Sequence, residues 1–176
     1  MIEVRVIDQA HAEDIRLPNE PFLLSGRMAV SYTDGQWQYE ALYAEPGQAA
    51  WQTFPDEHYD YEAMKDSSVF VGAYEGEQCV GLAVLQPGFF RYMYLYDLKV
   101  NKAFRGRQTG RMLIDRCREI ALAQGYLGLY TQGQDNNLGA CLFYLHTGFY
   151  IGGFDSNVYK GTKQEGKADI IFYLDG

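Results

Sequence analysis

Basic residues are in short supply. Fifteen lysines and arginines stand against twenty-three aspartates and glutamates, a formal net charge of −8. A general nucleic-acid binder needs a basic footprint, so that class is set aside. Cysteine is scarce too. Cys79, Cys117 and Cys141 are widely spaced with no CxxC pair, which excludes a disulfide scaffold and a cysteine zinc centre. His58 has no second histidine near it, so no metal is assigned. No apolar run approaches the roughly 20 residues of a membrane span. The opening MIEVRVIDQAH carries charges throughout and no apolar centre, unlike a signal peptide. The expectation is a cytoplasmic protein with buried free thiols and no membrane or nucleic-acid partner.

Apolar and aromatic residues are abundant. Hydrophobic residues make up 47% of 176, with fifteen tyrosines and ten phenylalanines. That supports one domain over 1–176 with a sizeable core, and several tyrosines whose hydroxyls need partners. Glu3–Asp8 alternates as a strand, and Ala10–Arg16 reads as a short helix ended by Pro18 and Pro21. Met28–Tyr43 reads as a hairpin around the Asp34-Gly35 dipeptide. Asp56–Asp66 has low strand propensity and is expected to be helical. Ser68–Tyr74 and Gln78–Leu85 flank EGE as a second hairpin, and Tyr92–Val100 is a third long strand. Thr109–Gln124 is the clearest helix, with Met112, Leu113, Cys117, Ile120 and Ala121 on one stripe. Thr109 is its expected N-cap and Gly125 its stop. Leu127–Thr131, Ser156–Lys160 and Ala168–Leu174 read as strands and Leu138–His146 as a helix. This order defines a mixed α/β fold, one mostly antiparallel sheet with helices on its faces.

Between the long strand and the long helix lies Arg105-Gly106-Arg107-Gln108-Thr109-Gly110. A helix N-terminus presents unpaired amides and partial positive charge. Glycines let those amides close around a phosphate, and arginines add charge. The segment has two readings: an anion loop for a diphosphate, or a glycine turn with solvated arginines. Walker A and GxGxxG spacings are both absent.

The loop resembles the Q/R-x-x-G-x-G/A pyrophosphate signature of GNAT-superfamily N-acetyltransferases, with Gln108 at the first family glycine. A side chain there is expected to require negative φ. QDNNLGACLFYLHTGF resembles a second superfamily segment, with Asn137, Ala140, Phe143, Tyr144, Gly148 and Phe149 in place. DIRLPNEPFLLSGR, ACLFYLHTGFYIGGFDSNVY and ADIIFYL are similar to streptothricin acetyltransferases.

The resemblance implies a GNAT-like twisted sheet with a V-shaped splay between its central strands and an acetyl-coenzyme A core at about 68–150. It implies a donor diphosphate on the amides of Arg105, Gly106, Arg107, Gln108, Thr109 and Gly110. The pantetheine arm would run along Leu98, Lys99 and Val100, with Asn137 on its far side. A backbone N–H near Leu98 or Lys99 would meet the oxyanion. Tyr144 would protonate the departing thiol. Where relatives carry Glu-Asp, this chain has Tyr96-Asp97, and Gln132 replaces another glutamate. Adjacent strand residues face opposite sides, so Asp97 is not expected to substitute for the glutamate missing at 96. Asp97 is nonetheless the expected central acid, with Tyr96 holding a water; a structural partner for an arginine is an equal reading of Asp97. The stretch FPDEHYDYEA, Phe54–Ala63, mixes acids and aromatics suited to a cation, or to a solvated acidic helix.

The function implied is acetyl transfer from acetyl-coenzyme A to a primary amine of a small cationic molecule, with streptothricin the specific candidate and antibiotic resistance the outcome. Acetylation of a protein amine and a catalytically impaired coenzyme A-binding module are the alternatives. A homodimer is left open.

Overall fold

The computed structural model describes residues 1–176. Contacts within the chain define two compact units, 1–21 with 53–130 and 175–176, and 22–52 with 131–174.

The first unit is built on antiparallel strands β1 (Ile2–Val6), β6 (Val69–Glu75), β7 (Gln78–Gln86) and β8 (Tyr92–Val100), hydrogen-bonded in that order. At β8 the sheet turns parallel: Tyr92, Met93 and Tyr94 pair with Gly128, Leu129 and Tyr130, where β9 (Gly128–Gln134) begins. The ladder with β9 is thus three residues long, whereas β8 stays paired with β7 as far as Val100. This is where the splay is expected.

Strand alternation assigns the two faces of this sheet. A Cβ on Gly81 would lie 3.1 Å from Leu113, so the Gly81 face meets α2 (Thr109–Ala123). Helix α2 buries Thr109, Leu113, Cys117 and Ala121, a row at steps of four, together with Ile114. Its end follows expectation: Gly125 has φ +86°, and Tyr126 N–H donates to the Ala121 carbonyl at 3.0 Å. The opposite face buries Phe70, Leu82 and Val84 under Ile15 and Tyr59. Ile15 comes from a 3-10 segment, Gln9–Arg16. Helix α1 covers Tyr61–Met64 alone, capped by Asp60. The expected helix over 56–66 therefore fails upstream of Tyr61: the only helical turn begins where Asp60 caps it, and His58 sits at φ +56°.

In the second unit, β3 (Gly26–Thr33) and β4 (Gln36–Tyr43) form the expected hairpin, with Asp34 and Gly35 at φ +53° and +78°. Short strands β2 (Phe22–Leu24) and β5 (Ala50–Gln52) pair as a separate ribbon that the sequence pattern missed. β9 continues here beside β11 (Asp169–Asp175), with β10 (Tyr150–Asp155) at the edge. The strand expected at 156–160 is instead turn structure. Asp155 accepts the Asn157 amide at 2.9 Å and curls the chain there. Helix α3 spans Leu138–His146. Asp135, 5% exposed, ties three segments: its carboxylate accepts Ala168 N–H at 3.1 Å, its carbonyl accepts Met28 N–H at 2.8 Å, and Arg27 lies 3.6 Å away.

All three thiols are free and buried. Burial pushes Cys79 to about 11, and Cys117 and Cys141 to about 12, so none is a ready nucleophile.

Candidate active site

β8 carries an irregularity at its centre. Val84 pairs with Asp97 and Leu85 with Leu95, so Tyr96 is an extra residue. A bulge of this kind sets two consecutive side chains against one partner. Tyr96 and Asp97 consequently share a face, against the expectation from plain alternation. One ring touches both: Tyr59 lies 6.4 Å from the Tyr96 ring and donates its hydroxyl to Asp97 at 2.9 Å. Tyr96 also meets Tyr94 edge-on at 5.7 Å and remains 46% exposed.

Asp97 sits in a network rather than beside an arginine. Lys99 Nζ is 3.5 Å from its carboxylate and 2.6 Å from Glu57. Lys99 also lies over the Tyr59 ring at 5.7 Å. The acid-and-aromatic stretch does hold a cation, but that cation is the chain's own lysine. Burial pushes the Asp97 carboxyl above the usual range; neighbouring Glu57 adds to this, and Lys99 and Tyr59 only partly offset it. Burial also pushes Glu57 upward, but hydrogen bonds from Asn19 and Lys99 outweigh it and hold that carboxyl low. Desolvation and the Asp97 charge push the Tyr59 phenol far above its ordinary value, so it remains a donor. The side chains of Glu57, Tyr59 and Lys99 were missed from sequence. The trace of Glu57 and Tyr59 was the composition of Phe54–Ala63, and Lys99 was expected to contribute only its backbone.

At the end of β8 the chain turns through a 3-10 segment, Lys102–Phe104, into α2. Gly106 has φ +73° and Gln108 φ +67°. Gln108 thus takes a left-handed conformation, contrary to the negative φ expected, and it occupies the N-cap position assigned to Thr109. Thr109 is the first helical residue instead, 1% exposed, its Oγ1 buried without a partner. A left-handed non-glycine residue costs about 1–2 kcal/mol, sustained here because Gln108 C=O accepts Met112 N–H at 2.9 Å and starts the helix. The amides of residues 106–111 find no protein acceptor. They form a run of donors at a helix N-terminus, suited to an anion.

The arginines divide. Arg105 is committed to the loop, donating to the carbonyls of Val100 and Pro21, each at 2.9 Å. Arg107 lies over the Phe104 ring at 5.7 Å, and Arg111 pairs loosely with Asp115 at 3.9 Å. Neither of those two guanidinium groups is tied to a backbone carbonyl as that of Arg105 is. Leu98 pairs with Ala83 and Val100 with Gly81, completing β8.

In the second unit, Asn137 caps α3 through Oδ1, which accepts Ala140 N–H at 3.2 Å. Tyr144, half-buried, packs against Phe149 and Phe172, each at 5.3 Å. Gln132 is exposed on β9.

A bulged central strand that feeds a glycine-bearing amide loop and an amphipathic helix defines an α/β protein with an anion site at the start of that helix. The profile of the acetyltransferase (GNAT) family matches residues 36–149, and the chain belongs to that family. Streptothricin acetyltransferase A of Bacillus subtilis is 28% identical over 163 residues, 92% of each chain. A solved structure of a provisionally named streptothricin acetyltransferase from Bacillus anthracis, in complex with acetyl coenzyme A, has TM-score 0.87 at 25% identity and covers 100% of this chain and 99% of that one. A nourseothricin acetyltransferase structure, 22% identical, shares the fold with TM-score 0.79 over 99% and 98% of the two chains. No helix is long and apolar enough to cross a membrane.

Proposed function

We propose that this acetyltransferase moves an acetyl group from acetyl-coenzyme A to a primary amine of streptothricin or a closely related small cation. The observation that carries the proposal is the likeness to the B. subtilis streptothricin acetyltransferase over 92% of both chains. It favours a small acceptor over a protein amine, and an active enzyme over an impaired binding module. The 176 residues act as one N-acetyltransferase domain, with the donor-binding core at about 68–150.

The residues support the following division of labour. The amides of residues 106–111, with Arg107 and Arg111, take the donor diphosphate. Leu98, Lys99 and Val100 offer β8 backbone to the pantetheine arm, and Asn137 offers its side-chain amide. A lysine-like acceptor amine, with pKa about 10.4, is mostly protonated near neutrality. Asp97, held above the ordinary carboxylate range, accepts that proton directly or through a water on Tyr96. The neutral amine forms the C–N bond at the thioester carbon. A β8 backbone N–H near Leu98 or Lys99 faces the oxyanion. As the C–S bond breaks, Tyr144 supplies the thiolate with its proton, and the proton shed by the new amide nitrogen restores the phenol.

The test is purified protein with acetyl-coenzyme A and streptothricin, following thiol release and the mass of the product. One acetyl group on the antibiotic, and a raised inhibitory concentration in a sensitive host expressing the gene, are expected. Thiol release with other amines but none with streptothricin would remove this substrate.

A further inference from the structure

The Asp97 carboxylate shares one cation with a second carboxylate. Lys99 Nζ lies 2.6 Å from Glu57 and 3.5 Å from Asp97, so the ammonium leans toward Glu57. Its side chain is only 10% exposed. Glu57 is itself held by Asn19 Nδ2 at 2.8 Å, which fixes the side of the cluster to which the lysine is drawn. The groups facing Asp97 are Lys99 and Tyr96 from β8 and Glu57 and Tyr59 from the 53–60 segment. The residue opposite it on β7, Val84, is apolar.

We infer that Glu57, Lys99 and Tyr59 are positioning residues for Asp97: the Tyr59 hydroxyl and the Lys99 ammonium fix the carboxylate in place, while Glu57 draws that ammonium off so that Asp97 is not neutralised as a base. This rests on the reading of Asp97 as the proton acceptor. The arrangement solves a specific problem. A buried carboxylate paired tightly with a lysine binds protons weakly and makes a poor base; one with no cation nearby is already protonated and cannot accept. A lysine divided unequally between two acids sets the carboxylate between those limits. The electrostatics carry definite signs. Without the ammonium, Asp97 holds its proton to higher pH. Without the Glu57 charge, Lys99 turns fully to Asp97, which then gives up its proton at lower pH.

The experiment follows the carboxyl carbon-13 resonance of Asp97 across pH in the whole chain, assigned by its absence in Asp97→Asn, alongside the pH profile of kcat/KM for acetylation of streptothricin. Lys99→Met is expected to move the Asp97 titration, and the acid limb with it, upward. Glu57→Gln is expected to move both downward. Tyr59→Phe is expected to lower kcat while the KM for acetyl-coenzyme A stays the same. A merely structural role would weaken all three variants without moving the titration in opposite directions. If Lys99→Met does not fold, Lys99→Arg decides with Glu57→Gln: the first should leave the titration near wild type and the second should lower it. Titrations that stay fixed, or move together, overturn the network even when Asp97→Asn is inactive. An Asp97→Asn enzyme with wild-type kcat/KM and acid limb overturns the base assignment instead, whatever the titrations show.

Discussion

The two halves of β8 are built from different materials. At its bulge, polar side chains are gathered from afar: Tyr59 and Glu57 reach Asp97 and Lys99 across 38 and 42 residues of sequence. At its end, the donors are main-chain amides of one contiguous turn, residues 106–111. The first arrangement depends on which functional groups are present. The second depends on backbone angles, and hardly at all on which side chains the turn carries. The two regions should therefore fail under different substitutions.

Asp97→Asn should do the most damage. Removing a positioned base costs about 100- to 10,000-fold, expected here in kcat/KM with the donor dissociation constant unchanged. Steady-state kinetics beside calorimetric titration of acetyl-coenzyme A would separate the two terms. Tyr144→Phe keeps the packing against Phe149 and Phe172 and removes the hydroxyl. A loss of about 100-fold in kcat is expected, measured as thiol release at saturating acceptor.

At the turn the ordering reverses. Gly106→Ala meets no atom within 4 Å of the added carbon, yet must hold φ +73°. A cost of about 1 kcal/mol follows from the left-handed backbone, read as roughly fivefold weaker donor binding with kcat retained. Gln108→Gly acts on the fold rather than on the donor: it removes the strain that the ligand-free turn already bears at φ +67°, so the melting temperature should rise while the donor dissociation constant stays near wild type. Effects of opposite sign at two neighbouring positions would be hard to obtain from side-chain contacts.

The smallest effect is on stability. Asp97 is held above its ordinary pKa in the fold. For an acid raised in this way, the stabilising contribution is full below the unfolded-state value. It is lost as pH rises from the ordinary carboxylate range through the raised folded value. Asp97→Asn should accordingly melt higher than wild type near neutral pH, and the gain should vanish in acid. A thermal melt series against pH would show it, and a variant less stable at every pH would contradict it.

The contrast also explains what could be read in the sequence. The strand Tyr92–Val100 and the helix Leu138–His146 have the bounds expected, because apolar pattern and glycine stops are local signals. The loop between β8 and α2 was legible for the same reason: glycine and arginine density is local. Its details were not. Gln108 adopts the left-handed conformation that glycine favours, and no composition rule predicts a residue that bears strain. The bulge at Tyr96 was invisible because an extra residue is defined only against its partner strand, where Leu85 meets Leu95 and Val84 meets Asp97. Glu57 and Tyr59 were visible as acid and aromatic but not as partners of Asp97, since nothing local announces a contact about forty residues away. Arg105 was counted with the phosphate groups, yet its guanidinium is used on the carbonyls of Val100 and Pro21.

In the proposed mechanism, backbone amides of the turn after β8 grip the donor. Amide proton–nitrogen spectra recorded while acetyl-coenzyme A is added test it most directly. The amides of Gly106 through Arg111 are expected to move downfield and to saturate together with donor binding. Saturation with those resonances unmoved, and the large shifts elsewhere in the chain, would contradict it.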